Sequence, residues 1–200
     1  LSAGELVWLR GDNGQGKTSL LRLMAGLAEP EAGTVHWLGH PANQAAGVAV
    51  LPLYVAHANA LKEDLTACEA LGFLVELSVH APPAPAGLAL DAALQSVGML
   101  GVKNTLVRAL SQGQRRRVAL ARLAMPNTPR LWLLDEPYDA LDLAGTQALN
   151  RLLDKQLARG GSVVLTSHQA LSADAPQARA FWLAGPPRSA AAPQHDSRAV

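Results

Sequence analysis

The sequence predicts an α/β fold with a mainly parallel core sheet, and three observations lead to this prediction. An apolar run at 5–10 leads directly into a glycine-rich loop and then into a leucine-rich segment with helical spacing. Two further apolar runs, 131–135 and 162–167, have the composition of strands that are buried on both faces. Segment 143–158 lies between these runs and has a helical pattern, which completes a βαβ unit.

The other strands and the first helix are shorter and less regular. Segment 19–27 is predicted to be a helix that ends at Gly26. Segment 33–39 is predicted to be a short strand closed by a turn. Segment 47–55 is predicted to be another strand, and Pro52 makes it either an edge strand or an irregular stretch because proline donates no ladder hydrogen bond.

The middle of the chain is predicted to be helical. Segments 63–80, 88–100 and 114–124 carry apolar residues at helical spacing. Segment 81–87 is rich in proline and alanine and is predicted to be a linker. Segment 185–200 is rich in alanine, proline and serine and is predicted to be a disordered tail, so the folded domain is expected to span 1–184.

Composition limits the class of protein. The 200 residues are 49% hydrophobic and 16% charged, as expected for one globular domain. A net charge of +1 provides no long-range attraction to nucleic acid or to acidic lipid, so no nucleic-acid partner is expected. The single cysteine, Cys68, cannot form an internal disulfide, which fits a reducing compartment. No apolar run reaches the roughly 20 residues that a membrane-spanning helix needs.

The loop GDNGQGKT at 11–18 carries the first chemical signal. Its three glycines, Gly11, Gly14 and Gly16, allow backbone N–H groups to turn inward around phosphate oxygens. The helix that begins at Lys17 adds the positive end of its dipole. Lys17 is expected to reach the β- and γ-phosphates, and the hydroxyl of Thr18 to bind Mg²⁺. An ordinary glycine-rich turn is the alternative.

The segment LWLLDEP supplies carboxylates that complement this loop. Asp135 ends a predicted strand, where its carboxylate would lie close to the Mg²⁺. Glu136 follows directly and could orient an attacking water molecule. The alternative is an acidic pair that ends a strand in solvent.

The segment LSQGQRRRVALAR at 110–122 predicts a second anion-binding helix terminus. Ser111 is a suitable N-cap, and Gly113 removes side-chain bulk beside it. Because the chain already has a phosphate loop, this terminus is expected to serve the nucleotide of a second subunit. The arginines at 115–117 are interpreted as a solvated charge run on the surface. His168, in the segment TSH after a predicted strand, is placed to reach a terminal phosphate.

Together these residues resemble the nucleotide-binding subunits of ABC transporters. GDNGQGKT resembles the Walker A motif, LWLLD resembles Walker B, and LSQGQ resembles the LSGGQ signature. The order and spacing of the motifs agree, since Ser111 lies 24 residues before Asp135 and His168 lies 32 residues after Glu136. The resemblance extends to about residue 184. The phrases between the motifs, above all LTSHQAL, resemble the ATPase subunits of haem exporters that serve bacterial cytochrome c maturation.

The resemblance implies a P-loop NTPase fold of the RecA-like type, with a helical signature subdomain inserted at about 57–122. It implies ATP hydrolysis with Mg²⁺, a homodimer of ATPase subunits, integral membrane permease partners and a peripheral location at the cytoplasmic face of the inner membrane. Glu136, His168 and Lys17 are implied to be catalytic, Thr18 and Asp135 to hold Mg²⁺, and Asp142 to belong to the D-loop. The implied ATP-binding residues are Gly11, Asp12, Asn13, Gly14, Gln15, Gly16, Lys17, Thr18 and Ser19. The residues implied to contact the partner's ATP are Ser111, Gln112, Gly113 and Gln114.

The chain departs from the family pattern at three places. Gln112 stands at the third position of the signature, where the family has a glycine, and Ala58 stands where the family has its Q-loop glutamine. Gln44 is a poor substitute for that glutamine because it precedes a strand. The family's N-terminal strands and the aromatic residue that stacks on adenine are expected to lie before Leu1.

Two other classes of protein remain open at this point. Soluble ABC ATPases of DNA repair or translation share these motifs, but they carry a long coiled-coil insertion or two tandem nucleotide domains. Here only 94 residues separate Lys17 from Ser111, and no heptad run fills them. The second class is a module that binds nucleotide and a partner without turnover, which the absence of the Q-loop glutamine makes conceivable. A generic ABC ATPase that serves another cargo is the alternative within the family.

Overall fold

The computed structural model describes residues 1–37, 40–41, 52–77, 87–126 and 128–183. Within them the strands are β1 (Leu6–Arg10), β2 (His36–Trp37), β3 (His40–Pro41), β4 (Leu53–Val55), β5 (Leu131–Leu134), β6 (Ser162–Thr166) and β7 (Arg179–Trp182). The α-helices are α1 (Lys17–Met24), α2 (Ala67–Glu76), α3 (Gly87–Ser96), α4 (Gln112–Ala121) and α5 (Leu143–Ala158).

Five of the strands form one sheet in the order β4-β5-β6-β1-β7, and every neighbouring pair is parallel. The short strands β2 and β3 form a separate antiparallel pair. Because all five strands of the main sheet run the same way, their carboxyl ends meet at one edge. The loops after β1, β5 and β6 therefore lie side by side.

The sheet is covered on both faces, as its apolar strands require. On one face, α1 contributes Leu21 to a cluster with side chains of β1, β5 and β6. The other face packs against α5 and the three helices between β4 and β5, which contribute Leu149, Leu71, Leu94 and Leu120. Each of these leucines is at most 2% exposed, and full burial of such a side chain contributes about 1.5–3 kcal/mol. This packed core holds the sheet in place, and the predicted site residues lie at the edge formed by the carboxyl ends of its strands.

The long apolar elements have the predicted positions. β1 and β5 are strands, β6 spans five of the six predicted residues, and α5 has the predicted bounds. Helix α1 ends at Met24, two residues before the predicted end, and Gly26 follows with a positive φ of 69°. β4 contains only three residues and lies at the sheet edge, which is one of the two alternatives that Pro52 left open.

The helices between β4 and β5 differ from their predicted limits. The predicted start of α2 at residue 63 is wrong, because Thr66 accepts a hydrogen bond from the N–H of Glu69 and caps the helix there. The predicted end of α3 at residue 100 is also wrong, since Gly98 adopts a positive φ of 73° and ends the chain's helical path. Local capping chemistry therefore overrode the apolar spacing.

Strand β7 was not predicted. It pairs with β1 in parallel register, but all four of its residues are exposed, so it lacks the apolar pattern of a buried strand. Residues 81–86 of the predicted linker, residues 47–51 of the predicted strand and the predicted tail at 185–200 lie outside the described residues, while Gly87, the last residue of the predicted linker, begins α3. No helix in the described ranges combines the length and apolar character needed to cross a bilayer.

Candidate functional site

A cavity of about 390 Å³ opens at the carboxyl edge of the sheet. It is lined by Asn13, Gly14, Gly16, Lys17, Thr18, Ser19, His57, Asp135, Glu136 and His168. The loops that supply these residues follow β1, β4, β5 and β6. The parallel topology therefore brings together three motifs that are more than 150 residues apart at their extremes.

The loop between β1 and α1 turns sharply at its glycines. Gly14 and Gly16 have φ values of 81° and 88°, a region that residues with a Cβ rarely adopt. Gly16 is the N-cap of α1 and provides no side chain, so the first-turn N–H groups of the helix receive no side-chain cap. The positive end of α1 is thus available to an anion in the cavity.

Lys17 is held inside this loop. Its Nζ donates to the carbonyl oxygen of Gly11 at 2.7 Å and to that of Asp12 at 3.0 Å, and the residue is only 8% exposed. An ammonium group has three N–H donors. Two of them fix its position, which leaves a third for an oxygen atom in the cavity.

Three residues of the predicted ATP-binding set do not line the cavity in the described structure. Asp12 and Gln15 bind each other, since the N–H of Asp12 donates to Gln15 Oε1 at 2.8 Å and Gln15 Nε2 donates to Asp12 Oδ2 at 3.2 Å. Gly11 contributes the carbonyl that holds Lys17. These residues shape the loop, and the cavity wall is formed by their neighbours.

Thr18 and Asp135 meet although they are 117 residues apart. The Oγ1 of Thr18 donates to Asp135 Oδ2 at 2.9 Å. Asp135 is 3% exposed and faces the cavity from the end of β5. A hydroxyl and a carboxylate are hard oxygen ligands of the kind that Mg²⁺ prefers, so the pair predicted to hold Mg²⁺ has suitable chemistry.

Thr166 is a residue of this site that the sequence analysis did not single out. Its Oγ1 donates to Asp135 Oδ1 at 2.9 Å and accepts from the N–H of Glu136 at 2.8 Å. It is fully buried at the end of β6. A polar residue that closes an otherwise apolar strand, two positions before His168, is the signal that could have identified it.

Glu136 and His168 form a second pair at the cavity. Glu136 Oε2 accepts from the backbone N–H of His168 at 2.9 Å, and Oε1 lies 3.5 Å from His168 Nε2. Glu136 has a positive φ of 48°, which is unusual for a residue with a side chain. This backbone conformation and the contact to His168 fix the direction of the carboxylate.

The signature segment lines a different cavity of about 460 Å³. Ser111 caps α4 by accepting from the N–H of Gln114 at 3.2 Å, while Gln114 Oε1 accepts from the N–H of Ser111 at 2.9 Å. This cavity is lined by Gly98, Met99, Gly101, Val102, Ser111, Gly113, Gln114, Arg117, Ala140 and Asp142. It shares no lining residue with the first cavity. Gln112 is exposed at the start of α4 and does not line it.

Gly113 lies against the backbone of the segment that precedes α5. A Cβ at this position would stand 2.7 Å from the carbonyl oxygen of Ala140, which cannot move aside as a side chain can. We expect Gly113→Ala to lower the free energy of unfolding by about 1–3 kcal/mol, although alanine is the better helix former. The measurement is thermal or denaturant unfolding. Gly101→Ala, where a Cβ meets nothing within 4 Å, is the control, and equal stability of the two variants would contradict the expected clash.

The interpretation of the three arginines as a solvated charge run is wrong. Arg116 is 2% exposed, and burial lowers the pKa of its guanidinium, while the carboxylates of Asp139, Asp135 and Glu136 oppose that shift. It donates hydrogen bonds to the carbonyl oxygens of Ala56, His57, Asp135, Glu136 and Pro137 and to Asn59 Oδ1. Arg116 therefore joins α4 to the loops after β4 and β5.

The neighbouring arginines also make specific contacts. Arg115 donates to the carbonyl oxygens of Leu110 and Arg108, and Arg117 donates to the carboxylate of Asp142. The same carboxylate accepts from the N–H of Gly145 and caps α5. The sequence shows that these side chains are charged, but it does not show which distant carbonyl oxygens accept their hydrogen bonds. Contacts of this kind are therefore missed when a run of arginines on a helix is interpreted from sequence alone.

The loop after β4 contributes His57 to the cavity, while Ala58 is exposed beside it and does not line the cavity. His57 Nε2 lies 3.2 Å from Asp139 Oδ2. A smaller recess of about 130 Å³ lies between His57 and His168, with Glu136 and Asp139 in its wall. The histidine was not among the predicted site residues.

Comparison with known proteins identifies the family. The protein-family model with the description "ABC transporter" matches residues 1–139 of the chain. The chain belongs to the ABC transporter family. Its sheet and phosphate loop accordingly represent the P-loop NTPase fold that the sequence predicted. An ABC transporter ATP-binding protein from Pyrococcus furiosus has a solved structure that superposes with a TM-score of 0.73 at 25% identity, covering 92% of this chain and 86% of the other.

Relatives of higher identity belong to one group of ABC proteins. A cytochrome c biogenesis ATP-binding export protein, CcmA, from Albidiferax ferrireducens is 45% identical over 170 residues, which are 84% of this chain and 79% of that protein. The protein of the same name from Dechloromonas aromatica is 43% identical over 184 residues, which are 92% of this chain and 88% of that protein. This chain is thus similar to ATP-binding export proteins along most of its length.

Proposed function

We propose that this ABC chain binds and hydrolyses ATP at the cavity between Lys17 and His168, and that it does so as the ATPase subunit of a haem exporter for cytochrome c biogenesis. The observation that carries the enzymatic part is the convergence of Lys17, Thr18, Asp135 and Glu136 on one cavity. The cargo is proposed from the similarity to cytochrome c biogenesis export proteins.

The phosphates are expected to bind in the glycine loop. Backbone N–H groups of Gly14 and of residues 16–19, together with the positive end of α1, provide donors for oxygen atoms. The third donor of Lys17 would contact the terminal phosphates while its other two donors stay on the loop carbonyls. The ammonium is thereby placed to stabilise charge on the leaving phosphoryl group.

Thr18 and Asp135 would hold Mg²⁺, because their oxygens lie 2.9 Å apart at the cavity wall. When bound, the ion supplies positive charge to the phosphate oxygens. Glu136 is the proposed general base, since its carboxylate faces the cavity and is aligned by the N–H of His168. The ring of His168 is proposed to contact the γ-phosphate.

A second copy of the chain is proposed to complete the site. Ser111, Gly113 and Gln114 line a cavity that shares no lining residue with the one that contains Lys17, which supports a role for them at the nucleotide of another chain. The start of α4 is a second helix N-terminus suited to an anion. In the proposed homodimer, each signature segment covers the nucleotide of the other subunit, with Asp142 between them.

The dimer is proposed to act at the cytoplasmic face of the bacterial inner membrane, bound to integral permease subunits. The similarity to ATP-binding export proteins supports this location. Closure of the dimer on ATP and its reopening after hydrolysis would move the permease subunits.

Steady-state phosphate release tests the enzymatic proposal. We expect turnover that requires Mg²⁺ and disappears with EDTA. Because two chains form each site, the rate per chain should rise with protein concentration until the dimer is saturated. A protein that binds ATP without releasing phosphate, alone or with its permease, would instead be a nucleotide-binding module, and the enzymatic proposal would be wrong.

A further inference from the structure

The end of β6 holds the two carboxylates of the proposed site through one buried hydroxyl. Thr166 Oγ1 is 2.9 Å from Asp135 Oδ1 and 2.8 Å from the backbone nitrogen of Glu136. An N–H group can only donate and an ionised carboxylate can only accept. The single hydroxyl proton of Thr166 is therefore directed to Asp135, and its lone pair receives the N–H of Glu136.

This hydroxyl is part of a chain of contacts that crosses three elements. Asp135 Oδ2 accepts from Thr18 on α1, while its Oδ1 accepts from Thr166 on β6. Both carboxylate oxygens therefore have a donor, which fixes the rotation of the group. Without Thr166, the side chain of Asp135 would be held at one oxygen alone among the contacts of the described residues.

The same hydroxyl supports the unusual backbone of Glu136. This residue has a φ of 48°, and conformations of this kind persist only where the surroundings hold them. Its N–H is bound by Thr166 and its carbonyl oxygen by Arg116 at 2.7 Å. Its carboxylate is bound by the N–H of His168, two residues beyond Thr166. The end of β6 thus restrains Glu136 at its backbone and at its side chain.

We propose that Thr166 is the positioning residue for the proposed hydrolysis, because its hydroxyl fixes the carboxylate of Asp135, which would hold Mg²⁺, relative to the backbone of the proposed base Glu136. The inference rests on the proposed function. Thr166 does not line the cavity, so it acts through these two residues and not on the nucleotide.

The test compares Thr166→Val, which removes the hydroxyl at nearly constant volume, with Thr166→Ser, which keeps it. We expect Thr166→Val to lower kcat about tenfold or more, since the buried carboxylate of Asp135 and the partly buried N–H of Glu136 lose their partner. Thr166→Ser should stay within about threefold of the parent in kcat. The KM for ATP should change less than kcat in both variants, because the glycine loop is untouched.

A second readout does not depend on turnover. Calorimetry gives the ATP affinity of each variant with Mg²⁺ and with EDTA. We expect Mg²⁺ to increase the ATP affinity of the parent and of Thr166→Ser by the same factor. In Thr166→Val this factor should be at least about threefold smaller. If the parent binds ATP but does not hydrolyse it, the proposed function fails, and this measurement still decides the role of Thr166.

A control separates positioning from general loss of stability. Val164→Ala removes buried apolar atoms from the same strand, in the cluster under α1, without touching either carboxylate. It should lower the melting temperature and leave kcat unchanged. If Thr166→Val does not fold, Thr166→Cys replaces it, because a thiol is a weaker hydrogen-bonding group. A folded Thr166→Val with parental kcat and parental Mg²⁺ gain, or a Thr166→Ser as impaired as the valine variant, would overturn the inference.

Discussion

Replacement of Lys17 by alanine is expected to abolish tight ATP binding. The ammonium is held by the carbonyl oxygens of Gly11 and Asp12 and points its remaining donor into the cavity. Loss of a partly buried charge that faces a phosphate costs about 2–5 kcal/mol, which corresponds to an affinity about 30-fold lower or more. Calorimetry with Mg-ATP measures the change directly.

The control for this variant must remove a lysine without touching the loop. Lys155→Ala on the exposed face of α5 meets that requirement and should keep the parental affinity. Circular dichroism should show that the Lys17 variant retains its helices, because only two side-chain hydrogen bonds to the loop are lost. A folded Lys17→Ala protein with parental affinity would show that the nucleotide binds elsewhere.

Replacement of Glu136 by glutamine is expected to preserve ATP binding and to block hydrolysis. The amide oxygen of glutamine can still accept from the N–H of His168, so the geometry of the pair is retained. It cannot accept a proton from water, and loss of a general base lowers turnover about 100-fold to 10,000-fold. Phosphate release and calorimetry on the same preparation measure both effects.

The same variant should accumulate as a dimer when ATP is present. Nucleotide that is bound and not hydrolysed would keep the two signature segments closed over it. Sedimentation with and without Mg-ATP measures this change in mass. Glu76→Gln, at the exposed end of α2, is the matched control and should hydrolyse ATP and sediment like the parent. Hydrolysis at the parental rate by Glu136→Gln would contradict the proposed role of the glutamate.

The elements that the sequence predicted well are those whose local signal and tertiary role agree. β1, β5 and β6 are apolar runs buried on both faces, and α5 connects two of them. β7 was missed because its four residues are exposed and its partner strand, β1, is about 170 residues away in the chain. A strand of this kind is stabilised by backbone pairing, which leaves no periodic pattern in the side chains.

The residues of the site also divide into those that the sequence predicted and those that it missed. Thr18, Asp135, Glu136 and His168 could be found because each lies in a motif with a recognisable order. Thr166 and Arg116 act by contacting backbone groups and carboxylates of distant segments, and these partners become visible only after the chain has folded. Single-sequence reasoning therefore locates the groups that face a ligand better than the groups that hold them.

The six hydrogen bonds of Arg116 have a mechanical consequence. The single guanidinium of Arg116 on α4 binds backbone carbonyl oxygens in two loops, at His57 after β4 and at Glu136 after β5. A tilt of α4 would either break several of these hydrogen bonds together or displace both loops along with the helix. If a ligand bound at Ser111, the N-cap of α4, and tilted the helix, Glu136 would therefore be displaced as well. No change of secondary structure would be needed between the two positions.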